Sequence, residues 1–483
     1  MGAIAAAVNK RGENAVSAVF SMLTQLRHRG AEAHGIATPN SVRITKSLDD
    51  LLKEKIDSDI ALGHDLSSLL PQDLPQPVLG DNFSLVFEGR LFPPLRTPET
   101  DEILERLKPN PETQAYNIIK KLEGSYVFAV ALHNKILVGR DTIGANSLYY
   151  GEDQRICAIA SERKALWPLE MKNVKSFPPG NLAIINADGF SFQPVKTVTQ
   201  PLIRTIDMEP AAKHLQKLLL DSTRKRVADI DKVAVAFSGG LDSSLIAVLA
   251  KLCGVEPHLI SVGLENQQEI QSAEIAAEAL ELPLSTQTYT VSEVEQILPR
   301  ILWLIEEPDP VKVSIAVPFY WVAETTSKMG YKVLFAGQGS DELFGGYQRY
   351  LGEYAKSPTT VRNAIYSDVA SCYETNFQRD AQVCSFHKVE LRLPFTDPKV
   401  VDFALSLPIN LKIESPQDAL RKRVLRQVAK NLEMPTFIVN KTKKAIQYAT
   451  GVHKALRKLS RKEEASLNEY INKIFQKVYP AQV

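Results

Sequence analysis

The chain has 483 residues, with 57 Lys and Arg against 56 Asp and Glu. A net charge of +1 gives no electrostatic footprint for nucleic acid or an anionic membrane, and no apolar run reaches bilayer length. Apolar residues at 44% and charged residues at 23% are ordinary for a globular protein long enough for two or three domains. Cys157, Cys253, Cys372 and Cys384 lack metal-ligand spacing and read as core thiols in a reducing compartment, so the expected location is cytoplasmic. The stretch Gly2–Val8 has neither the basic flank nor the length of a signal peptide.

The first 200 residues are strand-rich. Short apolar runs predict strands at Ala3–Val8, Leu85–Phe92, Tyr126–Leu132, Ile136–Arg140, Cys157–Ala160 and Leu182–Ile185. Helical patterns fall near 13–27 and 112–122, and Pro71 to Pro77 reads as a loop. A boundary falls between 195 and 210.

Beyond it, strands alternate with longer helices, the pattern of a parallel α/β sheet. Val233–Ala236 is a β-branched run that meets Ser238-Gly239-Gly240, and a helical pattern starts at Leu241. A glycine turn opening a helix is a phosphate site, because backbone N–H groups approach closely and the dipole favours negative charge. No Gly-Lys-Ser/Thr follows, so this is not a Walker loop. Asp242 sits in the first turn, placed to hold a metal that bridges phosphates. Ser292 and Glu295 form a predicted capping box for the next helix. Lys332–Ala336 is a second strand running into Gly337-Gln-Gly-Ser-Asp-Glu-Leu-Phe-Gly-Gly-Tyr347. Each of the two strand ends carries a carboxylate, Asp242 and Asp341, and in an open parallel sheet such ends share one crevice. Two hard oxygen ligands beside phosphates suit Mg²⁺. The tail from Lys454 reads as a basic amphipathic helix packing one face.

These motifs resemble the synthetase domain of the asparagine synthetase family. Glu390-Leu-Arg-Leu-Pro-Phe-Thr-Asp397, Lys422-Arg-Val-Leu-Arg426 and Lys441-Thr-Lys-Lys-Ala-Ile-Gln-Tyr448 are similar to its later motifs, in the same order. The N-terminal half resembles a class II glutamine amidotransferase domain through His28-Arg-Gly-Ala-Glu32, Gly63-His64, Gly139–Tyr150 and Ala160–Leu166. The resemblance implies an N-terminal four-layer α-β-β-α, Ntn-hydrolase-like domain over 1–200. It implies a doubly wound parallel α/β ATP-pyrophosphatase domain with a helical C-terminal part over 205–483. That family attacks glutamine with the cysteine after Met1, but this chain has Gly2 there. The arginine that holds the glutamine carboxylate is replaced by Leu66, and Asn-Gly-Glu by Glu88-Gly89-Arg90. Glutaminase activity is therefore expected to be lost.

The resemblance implies an AMP-forming ligase with ATP and Mg²⁺ as cofactors. The ATP-binding residues are expected to be Ala236, Ser238, Gly239, Gly240, Leu241, Asp242, Ser243, Val262, Gly337 and Ser340, with Asp242 and Asp341 on the metal. Lys443 is the candidate pyrophosphate lysine, and Lys422 and Arg426 rank behind it. Where the family often has glutamate, this chain has Gln338, which cannot act as a base. Gln338 and the Lys-Lys-Ala-x-Gln-Tyr segment resemble an archaeal and eukaryotic side branch. Glu306 and Asp309 are the candidates to take the amine's proton. Gln338→Glu is expected to raise turnover with ammonium if Gln338 marks lost base catalysis, and to reduce the native reaction if Gln338 orients another nucleophile by hydrogen bonding. Isolated histidines read as structural, and His387, near Glu390, stays open. The expected partners are a small carboxylate, aspartate foremost, and ammonia; a homodimer stays open. The alternatives are a ligase joining another acid and amine, and a non-catalytic ATP-binding regulator.

Overall fold

The computed structural model of the protein describes residues 2–93 and 97–480. They form two compact units, the first ending at Thr197 and the second beginning at Val198.

The first unit contains two antiparallel sheets, of seven and six strands. The strand Gly2–Asn9 shows how the sequence sets the layers, since its side chains point alternately to opposite faces. Ala3, Ala5 and Ala7 pack with Val16, Val19 and Leu23 of the helix Val16–Leu26. Ile4, Ala6 and Val8 pack with Val127, Ala129 and Val138 of the second sheet. The far face of that sheet presents Leu85, Phe87 and Phe128 to Ile103, Leu107, Ile118 and Ile119, from the helices Glu99–Leu107 and Pro111–Lys121. Helix, sheet, sheet and helix follow one another, the α-β-β-α stack that the family resemblance implies. The strand Ala33–Thr38 has no alternating signature because it is buried on both faces.

The second unit holds a five-stranded parallel sheet. Its order is Leu284–Tyr289, Glu256–Leu264, Lys232–Ala236, Val333–Phe335, Glu390–Arg392. In chain order that is third, second, first, fourth, fifth. The direction of winding reverses between Lys232–Ala236 and Val333–Phe335, so the crevice at their carboxyl ends is the switch point where doubly wound sheets take ligands. Val233, Ala234 and Val235 are fully buried, which explains their unbroken apolar run.

Two details differ from expectation. The capping box is Thr290 with Glu293, not Ser292 with Glu295. Thr290 Oγ1 accepts from Glu293 N at 3.2 Å, and Glu293 accepts from Thr290 N at 2.7 Å. Both pairs fit the pattern, but the strand Leu284–Tyr289 ends just before Thr290, so the earlier pair closes the helix Val291–Ile305. The tail is two helices, Val452–Lys462 and Leu467–Val478, divided where Ser466 caps the second. No helix among the described residues is long and apolar enough to cross a membrane.

Candidate active site

Two loops meet at the switch point. The first, Phe237–Gly240, leads into the helix Leu241–Leu252. Gly239 has φ +62°, and a Cβ on it would lie 2.8 Å from the Ser272 carbonyl oxygen, so only glycine fits. No side chain caps the helix, which leaves its first N–H groups to an anion. The second loop, Gly337–Gly339, leads into the short helix Ser340–Phe344.

The carboxylates at the two loop ends are joined by lysines from distant sequence. Lys422 Nζ lies 2.6 Å from Asp242 Oδ2 and 2.7 Å from Asp341 Oδ1. Lys443 Nζ lies 2.6 Å from Asp341 Oδ2 and 3.8 Å from Asp242 Oδ2. Ser340 Oγ donates to Asp242 Oδ1 at 2.9 Å. A Cβ at Gly346 would stand 2.0 Å from Asp341 Oδ1 and 2.3 Å from Lys422 Cε, so that glycine makes room for the cluster. Burial alone would raise the Asp341 pKa, but the ammonium groups of Lys422 and Lys443 outweigh it and hold the carboxyl well below the usual range. Burial pulls Lys443 down, and the carboxylates of Asp341 and Asp242 more than reverse it, so Lys443 stays charged.

Sequence reasoning ranked Lys422 behind Lys443; the structure puts it at the centre. It is 2% exposed and bridges both carboxylates. Arg421 and Lys422 both occupy the left-handed region, at φ 51° and 52°. Two consecutive non-glycine residues there are strained. The turn carries Arg421 Nε to the Gly346 carbonyl at 3.1 Å and Lys422 to the carboxylates. Nothing in the local sequence signals it. Arg426 donates to the carbonyls of Arg421, Val439 and Lys441, which ties the helix Arg423–Asn431 to the segment bearing Lys443.

The cluster borders a cavity of about 550 Å³. Ala236, Ser238, Ser243, Val262 and Gly337 also line it, with Gln338 and Lys443. Gly240 and Leu241 line a smaller void of about 60 Å³ that shares Ser238, Asp242 and Lys443 with the first. Lys422, Arg426, Lys441 and Lys444 also line it, with Glu269 paired to Lys444 at 2.5 Å, so the cations outnumber the carboxylates at that end. Gly239 and Ser340 lie behind these surfaces and support them.

Other candidates separate. Asp309 lines the large cavity while capping the helix Pro310–Lys328 through the N–H groups of Val311 and Lys312. Glu306 does not line it; it is buried and accepts from Gln382 Nε2 at 3.0 Å. Glu342 does line it, is 3% exposed, and accepts from Tyr347 and Asn376 at 2.5 and 2.7 Å. Burial and then the Asp341 charge raise its pKa. Sequence reading singled out the neighbouring Asp341 and passed over Glu342. His387 packs edge-on to Tyr320, and burial pushes its pKa down to about 4, so it is a neutral packing residue.

In the first unit, the altered positions do come together. Gly2 pairs with Leu66 between neighbouring strands. Leu66, Glu88 and Gly89 border one void of about 20 Å³, room for a single water. Ion pairs fill the surroundings. Arg29 meets Glu88 at 2.5 Å and Glu162 at 3.2 Å, and Arg90 meets Asp73 at 3.0 Å and Glu99 at 3.2 Å. A Cβ on residue 2 would fall 2.0 Å from the Asp65 carbonyl oxygen.

The asparagine synthase family model matches residues 214–361 and 353–481, more than half of the chain. The chain belongs to the asparagine synthase family. A glutamine amidotransferase domain model matches residues 97–168. Among relatives in the family, "Putative asparagine synthetase [glutamine-hydrolyzing] 1" of Methanocaldococcus jannaschii is 29% identical, over 96% of this chain and 97% of that one. Asparagine synthetase [glutamine-hydrolyzing] of Sandersonia aurantiaca is 26% identical over 74% of this chain and 69% of its own. Asparagine synthetase B [glutamine-hydrolyzing] of Escherichia coli K12 is 27% identical over 63% and 57%. Family membership makes the protein an ATP-dependent C–N ligase by descent.

Proposed function

We propose that the protein adenylates a small carboxylate, aspartate foremost, and passes the acyl group to free ammonia, releasing AMP and pyrophosphate. The observation that carries this reading is the Asp242–Lys422–Asp341–Lys443 cluster at the switch point, beside an uncapped helix N-terminus. The acid's carboxylate attacks the α-phosphorus of ATP, and pyrophosphate leaves. An amine then attacks the acyl carbon, and AMP leaves. The chain's task is to stabilise charge on the phosphates, and such preorganised electrostatics are often the largest catalytic term. Incoming phosphates compete with Asp242 and Asp341 for the two ammonium groups. The cationic end around Lys422, Lys441 and Lys443 suits the pyrophosphate, and the apolar wall at Val262 and Ala236 suits the base.

Mg²⁺ fits the donor set. Asp242 and Asp341 each turn one oxygen to a single cation, here the Lys422 ammonium, and magnesium prefers one or two carboxylates with phosphates and water. Bound there, it would neutralise phosphate charge.

The water-sized void by Leu66 and Glu88, and the lack of space for a cysteine at residue 2, support free ammonia over glutamine as nitrogen source. Gln338 favours a second reading, a ligase for another acid and amine. The test is pyrophosphate release from ATP, Mg²⁺ and ammonium with a panel of carboxylic acids, aspartate first. Acid-dependent release with AMP as co-product supports the reading; ADP as product, or no response to any acid, refutes it.

A further inference from the structure

Gln338 lines the large cavity, but its side chain is not free to turn. Its Nε2 donates to Asp380 Oδ2 at 2.7 Å. Asp380 has no exposed surface and does not itself line the cavity. Arg379 grips the same carboxylate, Nε to Oδ1 at 2.7 Å and Nη2 to Oδ2 at 3.1 Å. A carboxylate held by a guanidinium in this way is an acceptor only, so it must meet the NH₂ end of the glutamine amide. The carbonyl end, Oε1, is then the atom available to the cavity.

We infer that Asp380 is a positioning residue that locks the Gln338 amide in one orientation and so presents an acceptor oxygen to the nitrogen nucleophile. This rests on the ligase reading above and names how the amine is held. A neutral amine attacks through its lone pair, and its N–H bonds need acceptors while it does so. Gln338 Oε1 supplies one without taking a proton, so this site binds the amine in its neutral form and relies on another group for any deprotonation. Of the two outcomes expected for Gln338→Glu, the arrangement favours the reduced reaction. A carboxylate at 338 would face Asp380 at hydrogen-bond distance, and two such anions repel.

The test is a swap. Gln338→Glu and Asp380→Asn are made singly and together, and each protein is measured in three ways. Pyrophosphate–ATP exchange with aspartate reads adenylation, amide formation across an ammonium series reads the amine step, and thermal unfolding reads the pair itself. Gln338→Glu should lower Tm by on the order of 5 °C. The double variant should recover it, because an amide at position 380 can donate to a carboxylate at position 338. Asp380→Asn should raise the KM for ammonium tenfold or more while exchange stays within about twofold. An unchanged ammonium KM in Asp380→Asn overturns the inference, and so does a Tm that the double variant fails to restore. A wild type without exchange refutes the ligase reading with aspartate, while the unfolding arm still decides whether residues 338 and 380 are paired.

Discussion

Asp341→Asn is the sharpest probe of the carboxylate–lysine cluster. The side chain is 16% exposed and sits 2.7 Å from Lys422 and 2.6 Å from Lys443. Removing its charge leaves two ammonium groups to share Asp242, and Lys443 is 3.8 Å from it. Breaking a buried pair by deleting one partner costs about 3–5 kcal/mol. The sign with pH follows from the depressed Asp341 pKa. The native state binds fewer protons here than the unfolded chain, so the stabilisation is complete above about pH 5 and is lost as pH falls through the folded pKa. The variant has no such titration. Urea unfolding with chelator and without nucleotide should give a gap between wild type and variant that is flat from about pH 5 to 8 and narrows below about pH 4. A gap under about 1 kcal/mol, the value of an exposed pair, would refute the reasoning. So would a gap that persists undiminished in acid.

Three further outcomes are expected. Lys443→Met should cut pyrophosphate release by roughly 10²–10³-fold with an unchanged far-ultraviolet spectrum, as loss of one preorganised charge does; near-normal release would remove it from the chemistry. Gly2→Cys should not create glutaminase activity, because the side chain has no room against Asp65 and the adjoining void holds about 20 Å³; steady glutamate production from glutamine would contradict this. Lys412 is 2% exposed, and burial, with Arg362 nearby, pulls its pKa down to about 7. The unfolded chain binds that proton more tightly, so wild-type stability should rise between pH 7 and about 10.5. Lys412→Met should stabilise by roughly a few kcal/mol at pH 7 and flatten that rise, read from urea midpoints.

The legible parts of the site were those encoded within a few residues. Ser238–Asp242 and Gly337–Asp341 follow buried strands, and glycine at a strand end is a local requirement with a local cause. Gly2, Leu66 and Glu88 were legible as departures from a pattern, and the structure sets Leu66 and Glu88 on one void with Gly2 paired to Leu66 on the neighbouring strand. Lys422 was under-read because its role depends on a left-handed turn that carries it across 180 residues of sequence to Asp242. Asp380 gave no signal at all: it reaches Gln338 only because the helix Gln378–Phe386 packs beside that loop. Glu306 looked available beside Asp309, yet the end of its helix turns it inward to Gln382. Long-range placement of charged side chains, rather than strand and helix content, is where pattern reading stopped.

The central claim is an acid-dependent ligase fed by free ammonia. Its most direct measurement supplies ATP, Mg²⁺ and aspartate with ¹⁵N-ammonium in competition with unlabelled glutamine, and follows the amide product and AMP by mass spectrometry. The account predicts ¹⁵N in the product, one AMP per amide formed, and glutamine untouched. Unlabelled amide with matching glutamate release would contradict it.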